Sequence, residues 1–315
     1  MAQSLTAVPR TPGGAGDVAH GVWRLADPKI TLASVASMIL GAAAAARDGG
    51  MAWGWLALTV LGIFFIEVAK NASGEVVDFD SGTDMAVAEE DRSPFSGGKR
   101  VMVDGLLTRR QTAAVAALAY VLGAAVGLAI ALAREPRVLW LGLVGVGAAF
   151  FYHAPPLKLS YRGLGELAVF LCYGPLIAGG TYLVQRGTVS RELLLLAMPL
   201  GMLVAAFLWI NEFPDFRADR ASGKNTQVVR LGRARASRAF AFLVAAAYAV
   251  LLLAPLAGLP YAVWLGLAGL PPAVAAARAL AAHPEQTPLI VPAQARTLLS
   301  FLLYASGVGA GLLVS

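Results

Sequence analysis

Sulfur chemistry is almost excluded at the outset. The 315-residue chain has one cysteine, Cys172, so neither an intrachain disulfide nor a cysteine-rich metal site can form. Cys172 stands in an apolar stretch, where a small buried packing residue is the plain reading. Histidine is nearly as scarce, and His20, His153 and His283 show no metal-ligand spacing. Charge is thin as well: 14% of residues are charged against 58% hydrophobic, and the mean hydropathy is +0.68. Such a composition excludes the one to three soluble domains that length alone would allow. The opening MAQSLTAVPRTPGGAGDVAHG has no apolar run after a basic start, so a cleavable signal peptide is not expected. Residues 1–28 read as a flexible tail containing Gly and Pro.

What the chain does have is long apolar runs. About 20 apolar residues make one spanning helix. Nine segments qualify as candidates: 29–46, 51–70, 111–133, 138–153, 164–185, 192–211, 234–256, 260–281 and 296–314. They lack the polar face of a soluble bundle helix. Several are rich in Ala and Gly, as in AAVAALAYVLGAAVGLAIALA (113–133), which permits close helix packing in lipid. The expected fold class is therefore an all-α, polytopic membrane protein with a single transmembrane domain over 29–315, its motif loops at about 71–110, 153–163 and 212–233.

The basic residues orient it. With nine spans, the tail and the loops after spans 2, 4, 6 and 8 share one side, which holds 20 of the 25 Lys and Arg. The other side holds only Arg47, Arg134, Arg137, Arg186 and Arg191. Positive residues stay cytoplasmic, so the N-terminus and those loops are expected inside. The net charge of +6 then reflects loop topology and not nucleic-acid binding.

Two acidic clusters interrupt this apolar chain on that same side. NASGEVVDFDSGTD holds Asn71, Glu75, Asp78, Asp80 and Asp84; NEFPDFRADR holds Asn211, Glu212, Asp215 and Asp219. Residues three and four apart share a helix face. Glu67, Asn71, Glu75 and Asp78 form one such stripe, and Asn211, Asp215 and Asp219 form another; Asp80 is out of phase and should face solvent. A single carboxylate at a helix end is as well explained by solvation. Two clusters, each led by Asn and set on one side, are not. Like charges so arranged repel and call for cations. Carboxylate and amide oxygens suit Mg²⁺, which often combines one or two carboxylates with substrate phosphates. Nearby stand Arg92, Lys99 and Arg100, then Lys158 and Arg162 with Tyr152 and Tyr161, then Lys224 and Arg230. Cations of these types bind phosphate oxygens, although positive loop charge also serves topology. A weak internal repetition, with Asn-led acids and then a basic loop after spans 2 and 6, would set the clusters face to face.

These motifs resemble the UbiA superfamily of intramembrane aromatic prenyltransferases, over essentially the whole chain. NASGEVVDFDSGTD is similar to its first Asp-rich motif in the longer form closed by Gly82 and Asp84. RSPFSGG from Arg92 is similar to the family's basic–Pro–Gly segment after that motif, while the long first motif, YRGLGE (161–166) and DFRADRASGKNTQVVRLG (215–232) look like the branch that prenylates 1,4-dihydroxy-2-naphthoate for menaquinone. The branch usually has Asn-Asp where this chain has Gly74-Glu75, and it opens its second motif differently from Asn211-Glu212.

The resemblance implies nine helices around a central cavity in a bacterial or archaeal cell membrane. It implies a polyprenyl diphosphate donor, an aromatic acceptor and two Mg²⁺ ions. It implies metal ligation by Asn71, Glu75, Asp78 and Asp84 on one side and by Asn211, Asp215 and Asp219 on the other. Arg92, Lys158, Arg162, Lys224 and Arg230 would hold the diphosphate, and Asp78, Asp215, Lys158 and Tyr152 would be catalytic. Phe150, Phe151, Tyr152, Phe207 and Trp209 offer π faces to a carbocation, with ordinary packing the plainer reading for each. Other acceptors (4-hydroxybenzoate, another quinone or lipid precursor), a terpene cyclase and an ion-coupled transporter remain open alternatives. The transporter fits less well, because carriers place their ionisable residues near the bilayer midplane.

Overall fold

The computed structural model describes residues 14–315. Among these, all regular structure is helical. In chain order the helices are α1 (Ala15–Ala26), α2 (Pro28–Arg47), α3 (Trp53–Asp80), α4 (Thr83–Ala86), α5 (Arg109–Ala133), α6 (Val138–Phe151), α7 (Gly165–Leu171), α8 (Ile177–Arg186), α9 (Arg191–Ala221), α10 (Gln227–Leu231), α11 (Arg233–Leu253), α12 (Leu270–Ala282) and α13 (Thr287–Leu313). A π-helical turn, Cys172–Leu176, joins α7 to α8, and a 3₁₀ segment, Tyr261–Gly269, leads into α12.

Eight helical stretches are long and apolar enough to cross a membrane. The expected fourth span, α6, has only 14 residues, about 21 Å at 1.5 Å per residue. It still runs the length of the bundle. Before it, Arg137 donates to the Gly187 carbonyl beyond α8; after it, His153 lies beside Asp78. The outer surface is studded with exposed apolar side chains, Leu132, Phe242 and Leu256 among them. A water-facing protein does not leave such a surface bare, and a bilayer covers it. This is an integral membrane protein.

The helix ends follow from local chemistry. Thr108 and Gln111 close a capping box on α5, and the Ser190 side chain accepts from the Leu193 N–H to start α9. Such caps satisfy amide groups that the first turn leaves without partners. The main core joins α2, α9, α11, α12 and α13 around Leu40, Leu200, Phe213, Phe240, Phe301 and Tyr304, all essentially inaccessible. α9 runs through its middle, so the second acidic cluster rides on the most enclosed helix.

Two expectations about boundaries need correction. The segment 1–28 is not a flexible tail throughout. Residues 1–13 lie outside the described residues, but Ala15–Ala26 is helical. Its Leu25 packs with Ala72, Val101, Met102 and Leu107, and Arg24 pairs with Asp104 at 2.8 Å. A short amphipathic helix needs only one apolar stripe, so it leaves no long hydrophobic run to notice. The loops expected over 71–110 and 212–233 also start too early. α3 continues to Asp80 and α9 to Ala221, because the acids there are buried against neighbours and gain by staying helical. Between α6 and α7 the chain forms a loop with a 3₁₀ turn at Leu159–Arg162.

Candidate active site

The last turns of α3 and α9 face each other across a cavity of about 550 Å³. Asn71, Glu75 and Asp78 line it from α3; Asn211, Glu212, Asp215 and Asp219 line it from α9. The helical stripes read from the sequence are thus real, and both point inward. Asp80 does not: it is exposed and pairs with Arg109 at 2.7 Å.

Asp78 stands at the junction. Tyr161 donates to its Oδ1 at 2.7 Å, and Lys224 Nζ lies 3.4 Å from its Oδ2. The same ammonium is 3.8 Å from Asp219 Oδ1. Lys224 therefore bridges the two acidic helices. Burial alone would depress its pKa, but Asp78, Asp219, Tyr161 and Asp215 together hold it well above the usual lysine value. Tyr161 is raised as well, by burial first and by the Asp78 charge next. Two cations stand over its ring, Lys158 Nζ at 5.0 Å and Lys224 Nζ at 5.6 Å from the centroid.

Asp84 is almost wholly buried and its Oδ2 has no partner. It lies behind Gly98, whose backbone has φ +76°; a Cβ there would fall 2.2 Å from Asp84 Oδ1. Only glycine meets both demands, the left-handed backbone and the close approach. Burial, followed by the neighbouring Glu75 and Asp78 charges, pushes the Asp84 carboxyl up to about 9. Asn211 Oδ1, Asp215 Oδ1 and Glu212 Oε2 are likewise buried without partners. Orphaned oxygens of this kind are rare and costly. A set of unpartnered hard oxygens matches the donor preference of Mg²⁺, so the residues present fit that ion. Among the described residues no three histidine, cysteine or acidic side chains converge into a closed metal cage. The remaining ligand positions fall to water or substrate oxygens.

Glu75 has a second task. Its Oε1 accepts from the Val101 N–H at 2.6 Å and its Oε2 from the Lys99 N–H at 3.1 Å. It fastens the segment after the first motif onto α3. Phe95, Ser96, Gly98 and Lys99 of that segment then cover the cavity. A carboxylate offers about four lone-pair sites, so two stay free for a cation.

The expected phosphate-binding cations separate into two groups. Lys224 lines the cavity; Lys158 does not line it and stacks on the Tyr161 ring. Arg92, Arg162 and Arg230 do not line it. Arg162 donates to the Pro156 carbonyl, and Arg230 donates to the Asn225 and Arg162 carbonyls. These two guanidinium groups brace one loop against another. Tyr152 and Phe207 line the cavity; Phe150, Phe151 and Trp209 do not. Cys172 is half-buried in the cavity wall.

The sequence reading named Lys99 and Glu67 without their partners and gave no role to His153 or Lys70. Lys99 lines the cavity and pairs with Asp27. His153 Nε2 lies 3.9 Å from Asp78, in space opened by Gly74, where a Cβ would meet the imidazole at 2.5 Å. The unusual Gly74 was the available signal: a missing side chain leaves room for another. Lys70 and Glu67 form an ion pair at 2.8 Å deeper in the same cavity.

With this geometry in view, comparison with known proteins is decisive. Residues 34–289 match the UbiA prenyltransferase family. The chain belongs to the UbiA prenyltransferase family. It is a prenyltransferase. Among its relatives, the 1,4-dihydroxy-2-naphthoate octaprenyltransferase of Mycobacterium tuberculosis is 31% identical over 91% of this chain and 94% of its own length. The Escherichia coli protein of the same name is 31% identical over 69% and 70%. The 2-carboxy-1,4-naphthoquinone phytyltransferase of Synechocystis is 28% identical over 69% and 67%. Solved structures share the fold. The UbiA homolog from Aeropyrum pernix superposes with a TM-score of 0.60 at 19% identity, over 94% of this chain and 98% of that one. The homolog from Archaeoglobus fulgidus bound to GPP and Mg²⁺ gives 0.58 at 15%, over 94% and 100%.

Proposed function

We propose that this prenyltransferase moves a polyprenyl group from its diphosphate to 1,4-dihydroxy-2-naphthoate in a Mg²⁺-dependent reaction. One observation carries the reading. Two buried acidic clusters, each with an orphaned oxygen (Asp84 in the first, Asn211, Glu212 and Asp215 in the second), face each other, with Lys224 between them and an apolar cavity beyond. The arrangement suits a diphosphate head with a hydrocarbon tail. The relatives named for naphthoate substrates supply the acceptor. The Archaeoglobus homolog, which holds GPP and Mg²⁺, makes the cation choice consistent.

Glu75, Asp78 and Asp84, with Asn71, would hold one Mg²⁺; Asp215 and Asp219, with Asn211, would hold a second. Bound there, the ions neutralise negative charge on the departing diphosphate. Lys224 adds a fixed positive charge at the junction, and Tyr161 keeps Asp78 oriented by its 2.7 Å hydrogen bond. Lys158 reinforces the mouth through Tyr161. The segment fastened by Glu75 keeps water from the reacting carbon. The donor C1–O bond breaks, and a ring carbon of the acceptor bonds to C1. Over the whole exchange diphosphate and CO₂ leave. Tyr152 and Phe207 present π faces to the electron-poor prenyl carbon. The prenyl chain runs along the apolar wall formed by α3, α5 and α6. The skew of Lys and Arg supports a cytoplasmic side for the N-terminus and the motif segments.

The test uses purified protein, a labelled allylic diphosphate, Mg²⁺ and a panel of ring acceptors. Naphthoate should be prenylated and 4-hydroxybenzoate should not. Asp78→Ala and Asp215→Ala should each abolish transfer while the protein still elutes as a folded species. Turnover at the wild-type rate in either variant refutes the metal assignment. Transfer to 4-hydroxybenzoate alone refutes the acceptor.

A further inference from the structure

The buried cluster of Glu67, Lys70 and Tyr173 has no part in activating the donor. Lys70 Nζ donates to Glu67 Oε2 and to the Tyr173 hydroxyl, each at 2.8 Å. The Tyr173 hydroxyl donates to Glu67 Oε1 at 2.6 Å, and Ser34 donates to the same oxygen at 2.5 Å. Three elements, α2, α3 and the π-helical turn, thus converge on one ion pair inside the apolar bundle. Ionisable groups at such depth are expensive and by default mark a binding or transport path. Glu67, Lys70 and Tyr173 all line the cavity. The turn that carries Tyr173 is the only π-helical one among the described residues, and such turns concentrate at functional sites. Ser37 donates to the Tyr173 carbonyl and holds that turn in place.

We propose that this cluster is the acceptor site, with Lys70 receiving the ring carboxylate of an aromatic hydroxy acid. The inference rests on the prenyl-transfer reading above. An ammonium has three donors; two are spent inside the cluster, and the third is available to the cavity. Position supports the assignment. Lys70 precedes Asp78 by eight residues, about 12 Å along α3. The diphosphate sits at the acidic stripes and the donor C1 just inside them. The carboxylate of such an acid stands on or beside the ring carbon that bonds to C1, and a ring set against C1 from the bundle interior turns it toward Lys70, which lines the same cavity. Val204, Phe207, Cys172 and Ile177 line the same cavity and give the ring an apolar bed. Glu67 balances the ammonium in the empty site and spares the bundle an isolated buried charge. Lys70 is a specificity residue for the acceptor and takes no part in holding the diphosphate.

The experiment compares 1,4-dihydroxy-2-naphthoate with 1,4-dihydroxynaphthalene, the same ring without the carboxylate. The variant is the charge-neutral double Glu67→Gln/Lys70→Met. Its KM for the naphthoate should rise at least tenfold. Its kcat, its donor KM and its KM for the diol should stay within twofold of wild type; the unchanged donor KM also certifies the fold. A naphthoate KM within twofold of wild type overturns the proposal, as does equal weakening of both acceptors. A second measurement needs no variant. On wild type, 1-hydroxy-2-naphthoate should compete with the acceptor at least tenfold better than 1-hydroxy-2-naphthamide, and equal inhibition overturns the proposal. If wild type prenylates neither naphthalene, the naphthoate reading fails on its own. The same variant comparison on the accepted ring acid and its decarboxylated form then decides the role of Lys70.

Discussion

Asp84 offers a quantitative test of the metal site. Its carboxyl is pushed up to about 9 by burial and by the Glu75 and Asp78 charges. At pH 7 that leaves about 1% of the group ionised without a cation, a cost of roughly 3 kcal/mol to present the carboxylate. Mg²⁺ needs the ionised oxygen, so binding must expel a proton. The sign follows: lowering pH adds proton competition and weakens Mg²⁺ binding, whereas raising pH strengthens it until about 9. From this group alone, apparent affinity should change about tenfold per pH unit between pH 6.5 and 8.5. Isothermal titration of Mg²⁺ into protein with a non-hydrolysable donor analogue measures the affinity. Repeating it in buffers of different ionisation enthalpy counts the protons released. Asp84→Asn should bind more weakly and lose about one released proton. An affinity independent of pH, or an unchanged proton count in Asp84→Asn, refutes Asp84 as a ligand.

The remaining predictions follow from single contacts. Tyr161→Phe removes the 2.7 Å hydrogen bond to Asp78; a hydrogen bond to a charged group contributes about 1.5–3 kcal/mol, so kcat/KM should fall at least tenfold in a steady-state assay. Lys224→Met leaves Asp78 and Asp219 facing each other without their shared cation, and donor KM should rise by more than tenfold while KM for the acceptor stays within threefold. Gly74→Ala drives a methyl into His153 and should destabilise the protein by about 1–3 kcal/mol. Thermal unfolding in detergent should show the loss, and His153→Ala in the same chain should restore most of it.

The membrane character and the two inward stripes were legible because they depend on local rules. Hydropathy counts residues in one stretch, and a helix repeats its face every three to four residues. Asp78 and Asp215 are inward for that reason, and Asp80 is outward for the same reason. Helix ends were less legible: α3 and α9 run about ten residues further than hydropathy suggests, because buried carboxylates count as polar in a window and yet remain inside. Residues 15–26 were missed as a helix because a short amphipathic stripe leaves no apolar run.

Sequence by itself determined the class of protein, the carboxylates that share a face and the chemistry they favour. Tertiary structure alone decided which partners meet. Lys224 reaches Asp78 across 146 positions in the chain, and Tyr161 reaches it across 83. Arg162 and Arg230, equally basic and close by in sequence, turn instead to backbone carbonyls. Glu75 fastens a loop, His153 fills the space left by Gly74, and Lys70 finds Tyr173 on another element. The physical reason is one of range. Periodicity fixes the direction in which a side chain leaves its own helix, whereas its partner depends on how distant segments pack, a property of the whole bundle.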